Sequence, residues 1–455
     1  PGSSPPPGEA PPEGMSEMES LSAGFGYYDA KEGEVLNGKY TIEQSSKLGS
    51  GTYSTVISAR TEQSDRVAIK VLRMQETVRA VAEKEVATLQ KLKAAMEEDA
   101  EGSGCLCLLL DTFEHKSYVC IVFEHLGVDL RRLGRQPLSK VVDYGRQLFC
   151  GLRYIHSQDI LHLDVKPDNL LVDHDAEVPR VKLCDFGSAC GKDEVIESDE
   201  IQPLFYRAPE VILGANIGAK VDCWSAGCTV YEIATGRVLF EGIDNRSMLE
   251  RQMVLRGEPS PKLKQGKYCE TYFWRTSFMD HNGTGKPFHS FKEKEFYEDL
   301  LKNVQLDAAT GGSGPPPDNS GEISFADQNL GVKKLQRTGF GAKPVKKLPD
   351  NDNVKRLAKV VEALLVMSPQ KRAGVVAVLD MDLFADEAVL ARRLKAQEKE
   401  KAHRKWVEER KAYFRMKKLE RLNEEAGMDA RLNAAAKARA TGGKGGSDGK
   451  GGVMH

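Results

Sequence analysis

Charge imbalance is absent from this sequence: 65 Lys+Arg face 67 Asp+Glu, a formal net charge of -2, so the chain as a whole carries no electrostatic footprint of a nucleic-acid binder. Long apolar runs are absent too. None approaches the roughly 18 residues that a membrane helix needs, and the first residues are rich in Pro, Gly and Ser rather than charged and then apolar. A soluble intracellular protein is expected. Paired CxxC units are missing: the nine cysteines are scattered, several inside apolar runs, so reduced buried thiols are expected rather than a zinc site.

What is present is a strongly segmented chain of 455 residues. Residues 1–33, which begin PGSSPPPGEAPPEG, have too few apolar groups to offset the entropy of ordering and read as disordered. From Tyr40 onward, TIEQSSKLGSGTYSTVISAR and RVAIKVLR alternate β-branched and apolar residues around a glycine turn, which predicts antiparallel strands. Gln75 to Met96 carries apolar residues at helical spacing (Val78, Val81, Ala82, Val86, Leu89, Leu92). CLCLLLDTFEHKSYVCIVFEHL then returns to strand composition. After Leu126 helical patterns dominate, clearest at Lys140 to His156 and Lys220 to Gly236. The expected fold is therefore α+β and bilobal, a small antiparallel β lobe with one helix (residues 34–126) and a large α lobe (127–386) interrupted by a low-complexity insert at about 307–321. Residues 387–440 form a charged, basic tail with helical propensity, and 441–455 a disordered Gly-rich end.

The stretch HLDVKPDNLL, His162 to Leu171, followed by LCDFGSA, Leu183 to Ala189, concentrates the chemistry. Asp164 offers a carboxylate to accept or orient a hydroxyl proton, and Lys166 an ammonium to neutralise a transferring phosphoryl group. Asn169 and Asp185 could hold magnesium. Upstream, LGSGTYSTV places Leu48, Gly49, Ser50 and Gly51 between two strands rather than before a helix, which excludes a dinucleotide-binding fingerprint; a phosphate cradle and a plain hairpin turn both fit. VAIK sets Lys70 on the next strand, within reach of α- and β-phosphates, with Glu85 on the following helix as its ion-pair partner. Val56, Ala68 and Leu171 are placed to sandwich an adenine ring, a role compatible with ordinary core packing. Glu210 in FYRAPEVILG and Arg372 form an expected buried pair, and Asp222 in DCWSAGC an expected cap on the backbone of the catalytic loop.

Together the motifs from Gly49 to Arg372 resemble those of eukaryotic Ser/Thr protein kinases, and FYRAPE with the long insertion after Trp224 is similar to the CMGC group. GYYDAKEGEVLNGKY, the Ser54-containing glycine loop, IVFEHL, ILHLDVKPDNLLV, KLCDFGSA and GCTVYEIATGRVLFEG resemble the pre-mRNA-processing, Prp-four type, kinases of the spliceosome. The resemblance implies ATP and Mg2+ as cofactors and adenine bonded to the hinge backbone at Glu124 to Leu126, with Phe123 as gatekeeper. It also implies a nuclear enzyme whose protein substrates are splicing factors of the tri-snRNP. A dual-specificity kinase of the DYRK or CLK type and a catalytically inactive nucleotide-binding scaffold are the alternatives.

The sequence departs from the family pattern in places. Leu163 stands where many kinases have an arginine that reads a phosphorylated activation loop. The segment CGKDEVIESDEIQPLFYRAPE has no tyrosine before FYR, and Glu200 occupies the place of the regulatory tyrosine, as a partial substitute for its phosphate that could pair with Arg207. Cys184 is expected to face the nucleotide cleft as a small buried hydrophobe. In the tail, Trp406 and Phe414 fit either a solvated helix, a helix that docks on a spliceosomal protein, or an RNA contact.

Overall fold

The computed structural model describes residues 27–51, 53–73, 76–173, 180–194, 201–274, 277–278, 300, 303–304 and 351–385, with 405, 408–412, 415–416, 428 and 431–437 of the tail. The chain divides into two compact units, Pro1–Phe384 and Ala385–His455, and the described tail residues are helical. Glu200, Trp406, Phe414 and the insert at about 307–321 lie outside the described residues.

In the first unit, strands β1 (Val35–Leu36), β2 (Tyr40–Ser50), β3 (Ser54–Arg60), β4 (Arg66–Leu72), β5 (Leu109–His115) and β6 (Tyr118–Glu124) form one sheet in the order β1-β2-β3-β4-β6-β5. Every pairing is antiparallel, the hairpin-connected ones (β1–β2, β2–β3, β3–β4 and β5–β6) and the β4–β6 pairing alike. The period of two separates the two faces. Val67, Ile69 and Val71 of β4 join Tyr28, Leu36, Tyr40, Ile57 and Val122 in an apolar cluster on one face. Ala68 and Lys70, which alternate with them, stay half-buried on the other. The register sets Val56 opposite Lys70 and Ala68 opposite Phe123, so these four residues share the second face.

Helix α1 (Glu76–Ala94) buries Val78, Ala82, Leu89 and Leu92, a stripe at i, i+4 and i+3 spacing, and carries Glu85 on the same side. Val81, apolar by spacing, sits at the margin of that stripe and is exposed. A second, short helix, α2 (Ala100–Ser103), follows in the small lobe, capped by the Asp99 side chain on the Gly102 N–H.

The large lobe is built on α3 (Leu130–Leu133), α4 (Leu138–Ser157), α5 (Pro209–Ile212), α6 (Lys220–Thr235), α7 (Asn245–Arg256), α8 (Cys269–Tyr272), α9 (Asp352–Leu364) and α10 (Val375–Leu379). Its short strands are β7 (Ile160–Leu161), paired with β10 (Cys190–Gly191), and β8 (Leu170–Asp173), paired with β9 (Arg180–Leu183). Nearly all of α6 is buried, as expected of a helix apolar on every side, and Trp224 stacks on Phe240 at 5.7 Å. Among the described residues no helix is long and apolar enough to cross a membrane.

The expected pair of Glu210 and Arg372 is present and fully buried. Arg372 Nη1 and Nη2 donate to Glu210 Oε1 and Oε2 at 2.6 and 2.8 Å, while Nε and Nη1 also donate to the carbonyls of Val366 (3.0 Å) and Lys220 (2.7 Å). This joins α5 to the start of α6 and to the turn after α9. Glu210→Ala strands a buried guanidinium and is expected to lower stability by about 3–5 kcal/mol, whereas an apolar pair of similar volume, Glu210→Leu with Arg372→Met, costs less. Urea denaturation of the two variants checks this; equal losses would contradict it.

Candidate active site

The catalytic loop, residues 162–169, runs between β7 and β8 and is shaped by a single carboxylate. Asp222, fully buried at the start of α6, accepts the backbone N–H of His162 through Oδ2 and of Leu163 through Oδ1, both at 2.9 Å, and pairs with His156 Nε2 at 2.9 Å. Leu163 sits at φ +65°, a left-handed conformation that costs a leucine about 1–2 kcal/mol and persists only where neighbours enforce it. Its side chain is buried in the core of the large lobe, so the position normally held by arginine is apolar packing here.

His162 is wholly buried, and burial holds its imidazole pKa below the ordinary value against the opposing charge of Asp222. The Asp164 N–H donates to Nδ1 (3.2 Å), which leaves Nε2 as the donor to the Cys184 carbonyl (3.1 Å). The ring thus bridges the loop to the residue before Asp185 and meets Phe186 edge-on at 5.0 Å. Cys184 is half-buried, with its thiol pKa raised well above the ordinary value by burial, in keeping with the small-hydrophobe expectation.

Asp164, Lys166 and Asn169 converge. Lys166 Nζ lies 3.0 Å from Asp164 Oδ2, and Asn169 Nδ2 donates to the same oxygen at 2.7 Å and to the Asp164 carbonyl at 2.8 Å. The donor end of the Asn169 amide is therefore committed inward, and its oxygen is the atom left to ligate a cation. Burial raises the Asp164 pKa, and the Lys166 charge partly restores it.

Across the cleft, Lys70 Nζ contacts Glu85 Oε1 and Oε2 (2.7 and 2.9 Å) and Asp185 Oδ1 (2.8 Å). Burial works against the ammonium, but the charges of Asp185 and Glu85 overcome it and hold the Lys70 pKa above the ordinary lysine range. The two acids respond in opposite directions. Burial raises Glu85, whereas Asp185 falls below its ordinary value because Lys70 outweighs the burial that opposes it. Among the described residues no three His, Cys, Asp or Glu side chains converge on a metal site. Asn169 and Asp185 are an oxygen pair of the kind that suits magnesium, which takes few protein ligands and completes its shell with water and phosphate.

Leu48 and Gly49 are half-buried and Ser50 and Gly51 exposed at the β2–β3 turn. Neither glycine has a positive φ, and a Cβ would meet nothing within 4 Å at Gly49 and only Ser54 Oγ at 3.9 Å at Gly51, so their missing side chains leave room for a ligand. Val56, Ala68 and Leu171 are half-buried, unlike the buried neighbours that alternate with them. Phe123 and Glu124 end β6, and the Glu124 carboxylate pairs with Lys182 at 2.5 Å. Leu126 follows, buried, with Gly127 N–H donated to the Val172 carbonyl at 2.8 Å.

Two features were missed in the sequence. Gly187 is needed for close approach, since a Cβ there would lie 3.3 Å from Asp185 Oδ1, 3.5 Å from Glu85 and 3.7 Å from Lys70; its place after Asp-Phe was the available signal. A cleft of about 470 Å³ beside Asp164 is lined by Lys166, Ser188, Ile201, Gln202, Pro203 and Arg207, and no sequence periodicity reports it. Arg207 donates to the carbonyls of Ile201 (3.1 Å) and Gln202 (2.8 Å) and to Asn245 Oδ1 (2.6 Å).

Asp222→Ala deprives two buried N–H groups of their acceptor and is expected to cost about 2–5 kcal/mol, with faster amide exchange at His162 and Leu163. Burial opposes the Asp222 charge, but His156, His162 and the loop N–H hold its folded-state pKa below the ordinary aspartate value. Its contribution is therefore complete above the unfolded-state pKa and is lost as pH falls through the lower folded-state one. Denaturation of wild type and variant over the acid range checks this: the difference between them must shrink toward low pH.

Residues 42–384 match the protein kinase domain family. The chain is 36% identical over 296 residues to the serine/threonine-protein kinase prp4 of Schizosaccharomyces pombe, covering 61% of each protein. It is 37% identical over 261 residues to the serine/threonine-protein kinase prpf4B of Dictyostelium discoideum, covering 54% of this chain and 31% of that protein. Dual specificity tyrosine-phosphorylation-regulated kinase 3 of Homo sapiens is 31% identical over 260 residues, 54% of this chain and 43% of that one. These matches span less than two thirds of each relative. They bear out the resemblance to the pre-mRNA-processing kinases, and with the match over residues 42–384 they place the chain in the protein kinase family.

Proposed function

We propose that the chain is an ATP-dependent protein-serine/threonine kinase of the pre-mRNA-processing type, acting in the nucleus on splicing factors of the tri-snRNP. The observation that carries the catalytic part is the convergence of Asp164, Lys166 and Asn169 on one side of the cleft with Lys70 and Asp185 on the other. The splicing part rests on the family resemblance.

In this reading adenine lies between Val56 and Ala68 above and Leu171 below, bonded to the backbone of Glu124 to Leu126 beside Phe123, under Leu48. The triphosphate passes beneath Gly49, Ser50 and Gly51 to Lys70, which Glu85 holds in place. Magnesium on Asn169 and Asp185 would neutralise phosphate charge. Asp164 orients the substrate hydroxyl and takes its proton as that oxygen bonds to the γ-phosphorus and the bond to the β–γ bridging oxygen breaks, while Lys166 offsets the charge on the group in transit. A scaffold without chemistry would need none of these orientations. The dual-specificity alternative draws least support from the activation segment, where the one tyrosine between Gly191 and Glu210, Tyr206, is buried with its hydroxyl donated to Glu232 at 2.6 Å.

Asp164→Asn is expected to lower magnesium-dependent peptide phosphorylation ~10²–10⁴-fold with the fold intact, and in nuclear extract to abolish labelling of tri-snRNP proteins that the wild type labels. An unaltered rate would refute the role of Asp164; labelling of unrelated proteins alone would refute the splicing substrates. The base must be ionised, and burial raises its pKa, so kcat/KM falls on acidification at a higher pH than an exposed aspartate would give. Lys166→Met removes the charge that lowers that pKa and should move the acid limb higher still.

A further inference from the structure

The segment GYYDAKEGEVLNGKY supplies none of the groups that the proposed chemistry uses, yet from Tyr27 onward it is anchored to the small lobe at several points. Gly33 N–H donates to the Ile42 carbonyl (3.0 Å) and Ile42 N–H to the Glu34 carbonyl (2.9 Å), which extends the β1–β2 pairing ahead of β1. The Glu34 carboxylate accepts from Lys116 Nζ (2.6 Å) and pairs with His115 Nε2 (3.3 Å) at the β5–β6 hairpin. Tyr28 is buried in the apolar cluster, its ring edge-on to Tyr118 at 5.2 Å and to His115 at 5.9 Å. That cluster covers the face of the sheet opposite Lys70, Ala68 and Val56, so residues 27–34 form a strap on the outer face.

Tyr27 carries the strap to the glycine-rich turn. Its carbonyl accepts the Tyr118 hydroxyl (3.2 Å), its ring lies under the Arg73 guanidinium with the central carbon 3.6 Å from the ring centroid, and its own hydroxyl donates to the Gly51 carbonyl at 3.1 Å. Arg73 Nε is buried without a hydrogen-bond acceptor, so attraction to the ring face compensates that side of the cation. Arg73 follows directly on Leu72, the last residue of β4, and its N–H donates to the Tyr53 carbonyl at 2.9 Å. The tyrosine is thus fixed twice, by its backbone on β6 and by its ring on the end of β4, before it reaches the turn.

The turn itself has little packing of its own. A Cβ at Gly49 would meet nothing within 4 Å and at Gly51 only Ser54 Oγ, and Tyr53 near the tip is 56% exposed. The β2–β3 register also shifts twice on the way to the turn, between Ile42 and Lys47 and between Lys47 and Gly49. The closing bond, Gly51 N–H to the Ser54 carbonyl at 2.9 Å, sets the shape of the turn but not its height over the cleft. Height is set from outside, by the Tyr27 hydroxyl on the Gly51 carbonyl and the Arg73 N–H on the Tyr53 carbonyl. The first of these bonds also has an electrostatic effect. Such a turn cradles phosphate with N–H groups, and a carbonyl oxygen facing phosphate repels it; bound to the strap, the Gly51 carbonyl stays directed to the outer face.

We propose that Tyr27 is a positioning residue for the nucleotide phosphates: from the outer face of the sheet it holds the glycine-rich turn at the height and orientation they require. Without the hydroxyl, the ligand itself has to order the turn, and the entropy of that ordering is taken from its binding free energy. The effect falls on phosphate-bearing ligands alone, because adenine is held by Val56, Ala68, Leu171 and the hinge, away from Gly51. The inference rests on the kinase reading above.

The test is direct titration of the full chain with ATP and magnesium, and separately with adenosine, alongside steady-state peptide phosphorylation. The variants are Tyr27→Phe, which keeps the ring under Arg73 and deletes only the hydroxyl, and Tyr27→Ala. Expected for Tyr27→Phe is a roughly threefold to tenfold rise in Kd and KM for ATP, the range of one neutral hydrogen bond, with adenosine affinity and the KM for peptide unchanged. Tyr27→Ala, which also removes the ring from Arg73, should weaken ATP further and still spare adenosine; if it does not fold, Tyr27→Phe decides alone. Unchanged ATP affinity in Tyr27→Phe would overturn the proposal, and so would equal weakening of ATP and adenosine, the mark of a lobe loosened as a whole. A wild type that binds ATP but phosphorylates neither peptide nor protein in nuclear extract would instead defeat the kinase reading, and the titration would still decide the role of Tyr27.

Discussion

The active geometry of this molecule depends on one buried carboxylate. Asp222 is removed from water altogether, which for an isolated charge would cost several kcal/mol. That cost is offset because both oxygens are spent on the catalytic loop and one also on His156, so a largely apolar helix begins with an acceptor matched to two backbone donors. The left-handed turn at Leu163 follows from this. With the N–H groups of 162 and 163 both directed at α6, the chain must reverse sharply, and the reversal brings Asp164 to Lys166 and Asn169. The buried pair of Glu210 and Arg372 holds the other end of the arrangement by bonding the carbonyl of Lys220, the first residue of the helix that carries Asp222.

Charge in the cleft is arranged so that each acid has a distinct state. Glu85 and Asp164 are largely removed from water while the Asp185 side chain is 45% exposed, and only Asp185, with Lys70 against it, is held below its ordinary pKa. Lys70 is shared between Asp185 and Glu85 at nearly equal distance, so a bound polyanion draws on an ammonium that is already positioned and charged. Asp164 is the opposite case, a carboxylate made more basic by burial, which Lys166 only partly offsets, and this suits proton acceptance rather than cation binding.

Local and periodic features were legible in the sequence. Alternation along β4 put Lys70 and Ala68 on the face opposite Val67, Ile69 and Val71, and the spacing in HLDVKPDN defined a cluster because a tight loop brings residues two and five apart together. The apolar stripe of α1 was legible except at Val81, which the same spacing puts at the margin of the stripe and which is exposed. Contacts between distant segments were not legible from pattern. Arg131, Asp168, Tyr206 and Glu232 lie on four elements and have no common period, and each alone reads as an ordinary polar residue. The Glu210–Arg372 and Asp222 contacts, equally long in range, were expected only because the surrounding motifs carry a known topology.

Leu163 shows how the described part of the activation segment is held. An arginine at this place would extend a charge toward the segment; the leucine instead enters the core, and other bonds tie the segment down. Near its start Glu194 pairs with Lys84, the neighbour of Glu85 on α1, at 2.5 Å, an exposed contact worth only about 0.2–1 kcal/mol. At its far end the bonds are buried and neutral: Gln202 donates to the Val221 carbonyl (3.1 Å) and Ser225 Oγ (2.9 Å) and accepts the Ala208 N–H (2.9 Å). Gln202 has φ +65°, a strained conformation that these bonds and the Arg207 contacts to its carbonyl enforce. The substrate-facing end of the segment is thus fixed by desolvated amide bonds onto the same helix that fixes the catalytic loop, so α6 sets the distance between acceptor platform and base. Because those bonds carry no net charge, salt screens them far less than it screens the Lys84–Glu194 contact, and the two ends of the segment must differ in their response to ionic strength.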